Sequence, residues 1–274
     1  MRPNIPEPLP QEFADPLTRA ADRLGPFSGR VRWYPVVSST NDVAAALADS
    51  GVDEGIVVAA DAQTAGRGRQ GRPWASPAGV GIYATTVLRP HVDAAALITI
   101  AAGVAVAEGI EAATGLPVHV KWPNDVFVPG HGGPSTGRKV AGILAEGGAA
   151  SDGRAWVVLG FGINVLPGAY PPDVAARATS LETELGRAVD RGRVLTECLV
   201  ALARRYEDLG AQRGAAVVTS WRARAAGTFG RRVEWDHRGQ VQQGVAQDVD
   251  RTGALLVSTS TGVERVISGE VRWI

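Results

Sequence analysis

The sequence predicts an α+β fold in which a mixed β-sheet packed with helices is followed by a small SH3-like β-barrel. Strand-like apolar runs alternate with helical patterns through most of the chain, and from Thr228 onward short strands separated by tight turns take over. The 274 residues, 45% of them hydrophobic, suffice for one large domain and one small one. The division falls at 1–226 and 227–274, with 1–30 as a polar, proline-containing N-terminal extension.

Val31 to Val37 is rich in β-formers and broken by Pro35. Ser38-Ser39-Thr40-Asn41-Asp42 then precedes an alanine-rich run that Gly51 terminates, which predicts a helix N-terminus. Such an N-terminus either caps the helix or offers free N–H groups and hydroxyls to a carboxylate. Gly55 to Asp61 and Val80 to Leu88 read as strands entering and leaving a Gly/Arg loop, and Asp93 to Thr114 as one long helix capped by Asp93 and closed by Gly115.

Val118 to Trp122 and Val126 to Val128 flank a Pro123-Asn124-Asp125 corner, and Pro129 to Gly137 reads as a Pro/Gly/Ser loop. The strand Arg138 to Glu146 alternates so that Lys139, Ala141 and Ile143 share one face. In the strand Trp156 to Leu166, Gly160 and Gly162 fall on the same side, where either a ligand or a crossing element comes close. Leu195, Cys198, Leu199, Leu202, Tyr206 and Leu209 recur at helical steps within Arg193 to Leu209 and are expected in the core. The terminal strands are separated by His237-Arg238-Gly239, Asp250 to Gly253 and Thr261-Gly262; six arginines from Arg231 to Arg272 balance six carboxylates from Glu234 to Glu270.

The most informative segment is Gly66 to Trp74, Gly-Arg-Gly-Arg-Gln-Gly-Arg-Pro-Trp. Glycines at 66, 68 and 71 can take φ > 0 and turn their N–H groups to one side as an anion nest. Arg67, Arg69 and Arg72 add planar forks for phosphate or carboxylate. A solvated basic loop or an RNA-binding Arg-Gly tract would read the same way. Charge separates these readings: 28 acidic and 28 basic residues leave no net field to draw the chain onto nucleic acid.

Cys198 is the only cysteine, which excludes an intramolecular disulfide and a cysteine zinc cluster. Neither a basic leader followed by an apolar run nor a membrane-length apolar stretch is present, so a soluble cytoplasmic protein is expected. Of the 28 basic residues, all but Lys121 and Lys139 are arginine, and both lysines lie in strand-like sequence beside glycine or turn signals. A compact, rotatable charge at such a place suits a reacting site.

In order and content, Ser39-Thr40-Asn41, the Gly/Arg loop, Lys121-Trp122-Pro123-Asn124-Asp125, Arg138 to Leu144, Gly160-Phe161-Gly162-Ile163-Asn164 and the closing Gly269-Glu270-Val271 resemble biotin protein ligases, also called biotin–acetyl-CoA-carboxylase ligases. The resemblance runs from about Trp33 to the C-terminus. It implies an enzyme that converts biotin and ATP, with Mg²⁺, to biotinyl-5′-adenylate and pyrophosphate, then transfers biotin to a lysine of a biotin carboxyl carrier protein domain of an acyl-CoA carboxylase.

Position by position, it implies that Lys139, Arg67, Arg69 and Asp125 are catalytic, with Asp125 either orienting or deprotonating the incoming amine or only capping its turn. It places Ser39, Thr40, Asn41, Gln63, Gly66, Arg67, Lys139, Gly142, Gly160 and Gly162 around biotin. Arg69, Arg72, Trp74, Asn124, Asp125, Lys139 and Asn164 would hold ATP or the adenylate, and the metal ligands stay open. Two departures stand out: Gln70 occupies a loop position that is often basic, and about thirty residues before Val31 are too few for the winged helix-turn-helix domain of repressor-type members. The expected partner is thus the carrier domain, with no nucleic acid and no membrane, for a monomer or weak homodimer. A lipoate ligase would share the core, but the biotin-type loop is intact; a nucleic-acid-binding module is the other alternative.

Overall fold

The computed structural model describes residues 5–130, 133–168, 170, 172–225, 227–237, 239–267 and 271–274, the side chains of 133–136, 172 and 173 excepted. Ala226 at the expected domain boundary, Arg238 in a terminal turn, and Gly269 and Glu270 of the closing motif lie outside the described residues.

The strands are β1 (Val31–Val37), β2 (Val57–Gln63), β3 (Gly81–Leu88), β4 (His119–Lys121), β5 (Asp125–Gly130), β6 (Gly133–Ala149), β7 (Ala155–Asn164), β8 (Arg232–His237), β9 (Gln240–Val249), β10 (Leu255–Thr259), β11 (Gly262–Val266) and β12 (Val271–Trp273). The helices are α1 (Gln11–Arg19), α2 (Thr40–Asp49), α3 (Val92–Ala95), α4 (Ile98–Thr114), α5 (Pro172–Ala175), α6 (Leu181–Leu185), α7 (Arg191–Gly210) and α8 (Gly214–Arg224). Seven strands form a mixed sheet in the order β1-β2-β3-β7-β6-β5-β4, and five form an antiparallel sheet in the order β11-β10-β9-β8-β12. Among the described strands β1 and β2 are the pair that runs parallel, joined through α2 as crossover.

One face of the large sheet packs on α4 and α7. Gly109 lets α4 lie close against α7, since a Cβ there would lie 2.5 Å from the backbone of Cys198 in α7. The opposite face carries α2 with the buried Ala44 and Ala48 against Val58 and Val158, and the site described below. The small sheet shares the main core through Trp221 of α8, whose ring meets Phe229 edge-on at 6.2 Å.

Several expectations need correction. Pro35 does not break β1, because β1 is an edge strand and proline is tolerated where no ladder N–H is required. The long helix from Asp93 is instead α3 and α4, separated at Ala96 and Leu97; the buried Leu97 and Ile100 pack on Gly253 in the turn between β9 and β10. Gly115 does close α4, at φ +77°. The Pro129 to Gly137 segment is entered by β5 and β6 rather than being all loop. The N-terminal extension holds α1, whose Phe13 and Leu17 join the core; Arg191 fixes it through ion pairs to Glu12 (2.5 Å) and Asp61 (3.0 Å).

Candidate active site

The site forms where α2, the Gly/Arg loop and strands β6 and β7 converge. Ser39 is the N-cap of α2 but its hydroxyl makes no capping bond, so simple capping does not explain the hydroxyl run. Instead, Thr40 and Asn41 turn inward, each 4% exposed. The Thr40 N–H donates to Gln63 Oε1 at 2.8 Å, and Gln63 Nε2 donates to Ser76 Oγ at 2.8 Å. The fully buried Thr85 hydroxyl of β3 lies 2.8 Å from Thr40 Oγ1 and 2.7 Å from Asn41 Oδ1.

The paired glycines of β7 do lie on this face. A Cβ on Gly160 would lie 2.1 Å from Asn41 Oδ1, and one on Gly162 would lie 2.5 Å from Trp74 Nε1. Gly142 of β6 is hydrogen-bonded opposite Gly162, and its Cβ would meet both Trp74 and the Lys139 ammonium at 3.0–3.2 Å. The missing side chains let the Trp74 ring and Asn41 lie directly on the β6–β7 backbone, in a glycine strip for which Thr40 and Asn41 form one end and Lys139 the other.

Lys139 arrives there by a route that simple alternation does not predict. Opposite β5, Phe127 pairs Lys139 and Val126 pairs Ala141, so Val140 is an extra residue, a β-bulge. The bulge turns Lys139 to the side of Gly142, while Ala141 and Ile143 go into the core against α4. Lys139 therefore does not share a face with Ala141 and Ile143. Its Nζ lies 2.5 Å from Asp125 Oδ1 and 5.2 Å from the centre of the Trp74 ring.

The Gly/Arg loop is folded as a tight reversal. Gly68 N–H donates to Arg72 O at 2.7 Å and Trp74 N–H to Gly66 O at 2.8 Å, bringing Arg67 opposite Pro73. Of the three glycines only Gly71 has positive φ, at +70°, and Gln70 takes the other left-handed position at +57°. Gly66 is required for a different reason: a Cβ would lie 2.6 Å from Trp74 O and 2.7 Å from Ser76 Oγ.

The arginines also divide. Arg67 pairs with Asp42 of α2 at 2.5 Å and with Glu146 of β6 at 3.2 Å. Arg69 points the other way, toward Asp125 and a cavity of about 210 Å³ that Trp122, Pro123, Thr99 and Gly253 also line; burial lowers its pKa and the Asp125 charge partly restores it. Arg72 lies on the exposed return limb.

Asn124 and Asn164 have backbone duties: the first donates to Ile143 O at 2.7 Å and the second to Thr179 O at 3.0 Å. Asn164 ends β7 beside Tyr83 and Tyr170, and through Thr179, whose N–H donates to Lys139 O at 2.9 Å, it is one hydrogen bond removed from the Lys139 backbone. Lys121, the second lysine, lies opposite Asp125 across the β4–β5 ladder and ties the small sheet to this side, with its Nζ 5.2 Å from the ring centres of Phe127 and Trp273; burial lowers its pKa and the Asp125 charge partly restores it. Its neighbour Trp122 adds a hydrogen bond of 2.9 Å to Gly253 O. Residue-by-residue reading missed Glu146, Asp42 and Thr85; counting two-residue steps from Gly142 along β6 would have reached Glu146.

A bare-glycine strip with a lysine at one end, a polar clamp at the other and an arginine loop above can hold an extended carboxylic acid and activate it. The comparisons with known proteins give the class: residues 33–164 match the Biotin/lipoate A/B protein ligase family, and residues 228–272 match the Biotin protein ligase C terminal domain. The chain is 34% identical to the biotin–[acetyl-CoA-carboxylase] ligase of Paracoccus denitrificans, over 85% of this chain and 96% of that one. It is 36% identical to the enzyme of the same name from Mycobacterium tuberculosis, over 85% of each. The structure of the biotin protein ligase from Aquifex aeolicus in complex with biotin and ATP superimposes with a TM-score of 0.71 at 27% identity, over 90% of this chain and 99% of that one. The chain belongs to the biotin protein ligase family.

Proposed function

We infer that this chain is an ATP-dependent biotin protein ligase working in two steps at one site. A biotin carboxylate oxygen attacks the α-phosphorus of ATP, and the bond to pyrophosphate breaks. The amine of an acceptor lysine then attacks the biotin carbonyl, the bond to AMP breaks, and the amine gives up a proton. The observation that carries this reading is Lys139, set beside Gly142 and beneath Trp74 at the end of a glycine strip.

Thr40, Asn41, Gln63 and Ser39 close the buried end and suit a small polar ring, and Gly66, Gly142, Gly160 and Gly162 admit its body. Two anions must meet in the first step, and Lys139 and Arg69 supply the positive charge at that point, with Arg72 on the loop's outer limb. Arg67, committed to two carboxylates, acts as the loop's anchor and as a wall of the biotin site. Trp74, Asn124 and Asn164 border the space for the adenylate. Asp125 pairs with Lys139 and is placed to receive the proton of the acceptor amine when Lys139 turns to the phosphate. Mg²⁺ is taken to enter as the companion of the ATP phosphates, which it needs as oxygen ligands beyond one or two carboxylates.

The acceptor is the biotin carboxyl carrier domain of an acyl-CoA carboxylase. The C-terminal small sheet, which the division at 227–274 would set apart, is tied to the site by Lys121 and Trp122 while sharing the main core. No helix among the described residues is long and apolar enough to cross a membrane, and a cytoplasmic site of action fits that. The deciding measurement is the mass of a biotin-acceptor domain after incubation with enzyme, ATP, Mg²⁺ and biotin, with lipoate in parallel. Addition of biotin alone is expected; addition of lipoate, or of neither, overturns the reading.

A further inference from the structure

Glu146 lies on β6, four residues beyond Gly142 on the same face, and its carboxylate joins two elements of the site. Oε2 accepts from Asn41 Nδ2 at 2.6 Å, and the same oxygen accepts from Arg67 Nη2 at 3.2 Å. Leu144 O is a second acceptor for Asn41 Nδ2, at 3.4 Å. A carboxylate only accepts, so the Asn41 amide must present its NH₂ to Glu146 and its oxygen to Thr85.

That orientation propagates. Asn41 Oδ1 can only accept, so the single proton of the Thr85 hydroxyl goes to it across 2.7 Å. The 2.8 Å contact between Thr85 and Thr40 must then be bridged by the proton of Thr40. With its own proton turned inward, the Thr40 oxygen offers lone pairs to the glycine strip. Gln63 Oε1 keeps a lone pair after accepting the Thr40 N–H at 2.8 Å and is the other acceptor for that proton, at the longer distance of 3.1 Å; with either acceptor the proton stays inside the protein and the Thr40 oxygen still offers a lone pair.

We propose that Glu146 is a positioning residue for biotin recognition: it fixes the direction of the Thr40–Thr85–Asn41 hydrogen-bond chain, so that the buried end of the site accepts hydrogen bonds and selects a ligand carrying an N–H donor there. This rests on the biotin ligase reading above, in which that donor is a ureido N–H. Through Arg67 the same carboxylate seats the first limb of the Gly/Arg loop on the site's wall.

The test is calorimetric biotin binding and steady-state kinetics of wild type, Glu146→Gln, Thr85→Val and the double variant. Glu146→Gln frees the Asn41 amide to turn over and should weaken biotin binding and raise KM for biotin roughly tenfold, the scale of a lost hydrogen bond to a charged group. KM for ATP should stay within about twofold of wild type, which a general structural loss would not allow. Thr85→Val cuts the same chain at a buried position with little change of shape, and keeps the test open should Glu146→Gln fold poorly. In the double variant the two losses should not multiply. Wild type that binds biotin while Glu146→Gln binds it within twofold, or losses that multiply independently, overturns the role of Glu146. Wild type that binds no biotin instead overturns the functional reading, and this inference falls with it.

Discussion

Lys139 Nζ stands 2.5 Å from Asp125 Oδ1, and the extra residue Val140 in β6 is what turns the lysine to that side of the sheet. Each charge is the other's counter-ion. Binding a carboxylate and a triphosphate gives Lys139 stronger anionic partners and releases Asp125 for the amine that follows.

Lys139→Ala should cut adenylate formation roughly 10²-fold or more, the scale of losing one preorganised donor at developing charge. Lys139→Arg should not restore it, because the ammonium already sits within 3.2 Å of where a Gly142 Cβ would be and lies under Trp74, leaving no room for a planar fork. Pyrophosphate release by the folded variants measures both; near-normal release by Lys139→Ala would remove Lys139 from the chemistry.

The two β7 glycines should differ in what alanine does. At Gly160 the new Cβ meets Asn41 Oδ1 at 2.1 Å, and Asn41 is held by Thr85 and Glu146, so the clash must be absorbed by the core at about 1–3 kcal/mol. At Gly162 it meets the Trp74 indole, whose N–H has no acceptor among the described residues and whose ring can swing outward. Gly160→Ala should therefore lower Tm more and raise KM for biotin. Gly162→Ala should leave Tm nearer wild type while weakening adenylate binding. Thermal melts and the two KM values decide, and the reverse order would contradict the geometry.

Burial pushes the Cys198 thiol up, so the native state keeps a proton that the unfolded chain loses above about pH 8.5. Stability from this group is fully present below that pH and declines above it, by up to about 1.4 kcal/mol per pH unit. Tyr83 and Tyr206 are also raised, both by burial first, but they contribute only above about pH 10. Denaturant melts should show stability falling between about pH 8.5 and 10 in wild type and a flatter profile in Cys198→Ala. Thiol reagents should reach Cys198 only on unfolding, and a rapid native-state reaction would refute its burial.

What was legible in the sequence follows from which features repeat with a fixed period. Gly160 and Gly162 share a face because β7 is regular, and Gly115 ends α4 because its φ of +77° suits glycine. The facing of Lys139 was not legible, since a bulge at Val140 shifts the alternation and nothing local marks it. Nor was the fate of Arg67: its partners Asp42 and Glu146 are brought to it only by the pairing of α2 and β6 across the sheet, contacts that a linear reading does not contain. The edge position that allows Pro35 in β1 is likewise a property of strand order.

The division among the loop arginines sets the last expectation. Arg67 is tied to α2 and β6 by two ion pairs, and the segment from Gly68 to Gly71 holds a turn with two consecutive left-handed residues, Gln70 and Gly71, in which Arg69 is half-buried and Gln70 and Gly71 are exposed. Ordering such residues costs roughly 1–2 kcal/mol of backbone entropy each, which phosphate contacts to Arg69 and Arg72 can offset. Without ligand, opening should start at this tip. Trypsin should then cut after Arg69, while the Arg67 bond is held back by its ion pairs and the Arg72 bond is protected by the proline that follows it. Biotin with ATP, or a stable adenylate analogue, should protect Arg69. A closed loop also keeps water and stray amines from the mixed anhydride. Arg69→Gly should accordingly still form biotinyl-adenylate at a measurable rate but release it faster, labelling bystander proteins. Equal resistance of free and liganded enzyme to trypsin, or loss of adenylation without any rise in leakage, would show that the loop does not act as a cover.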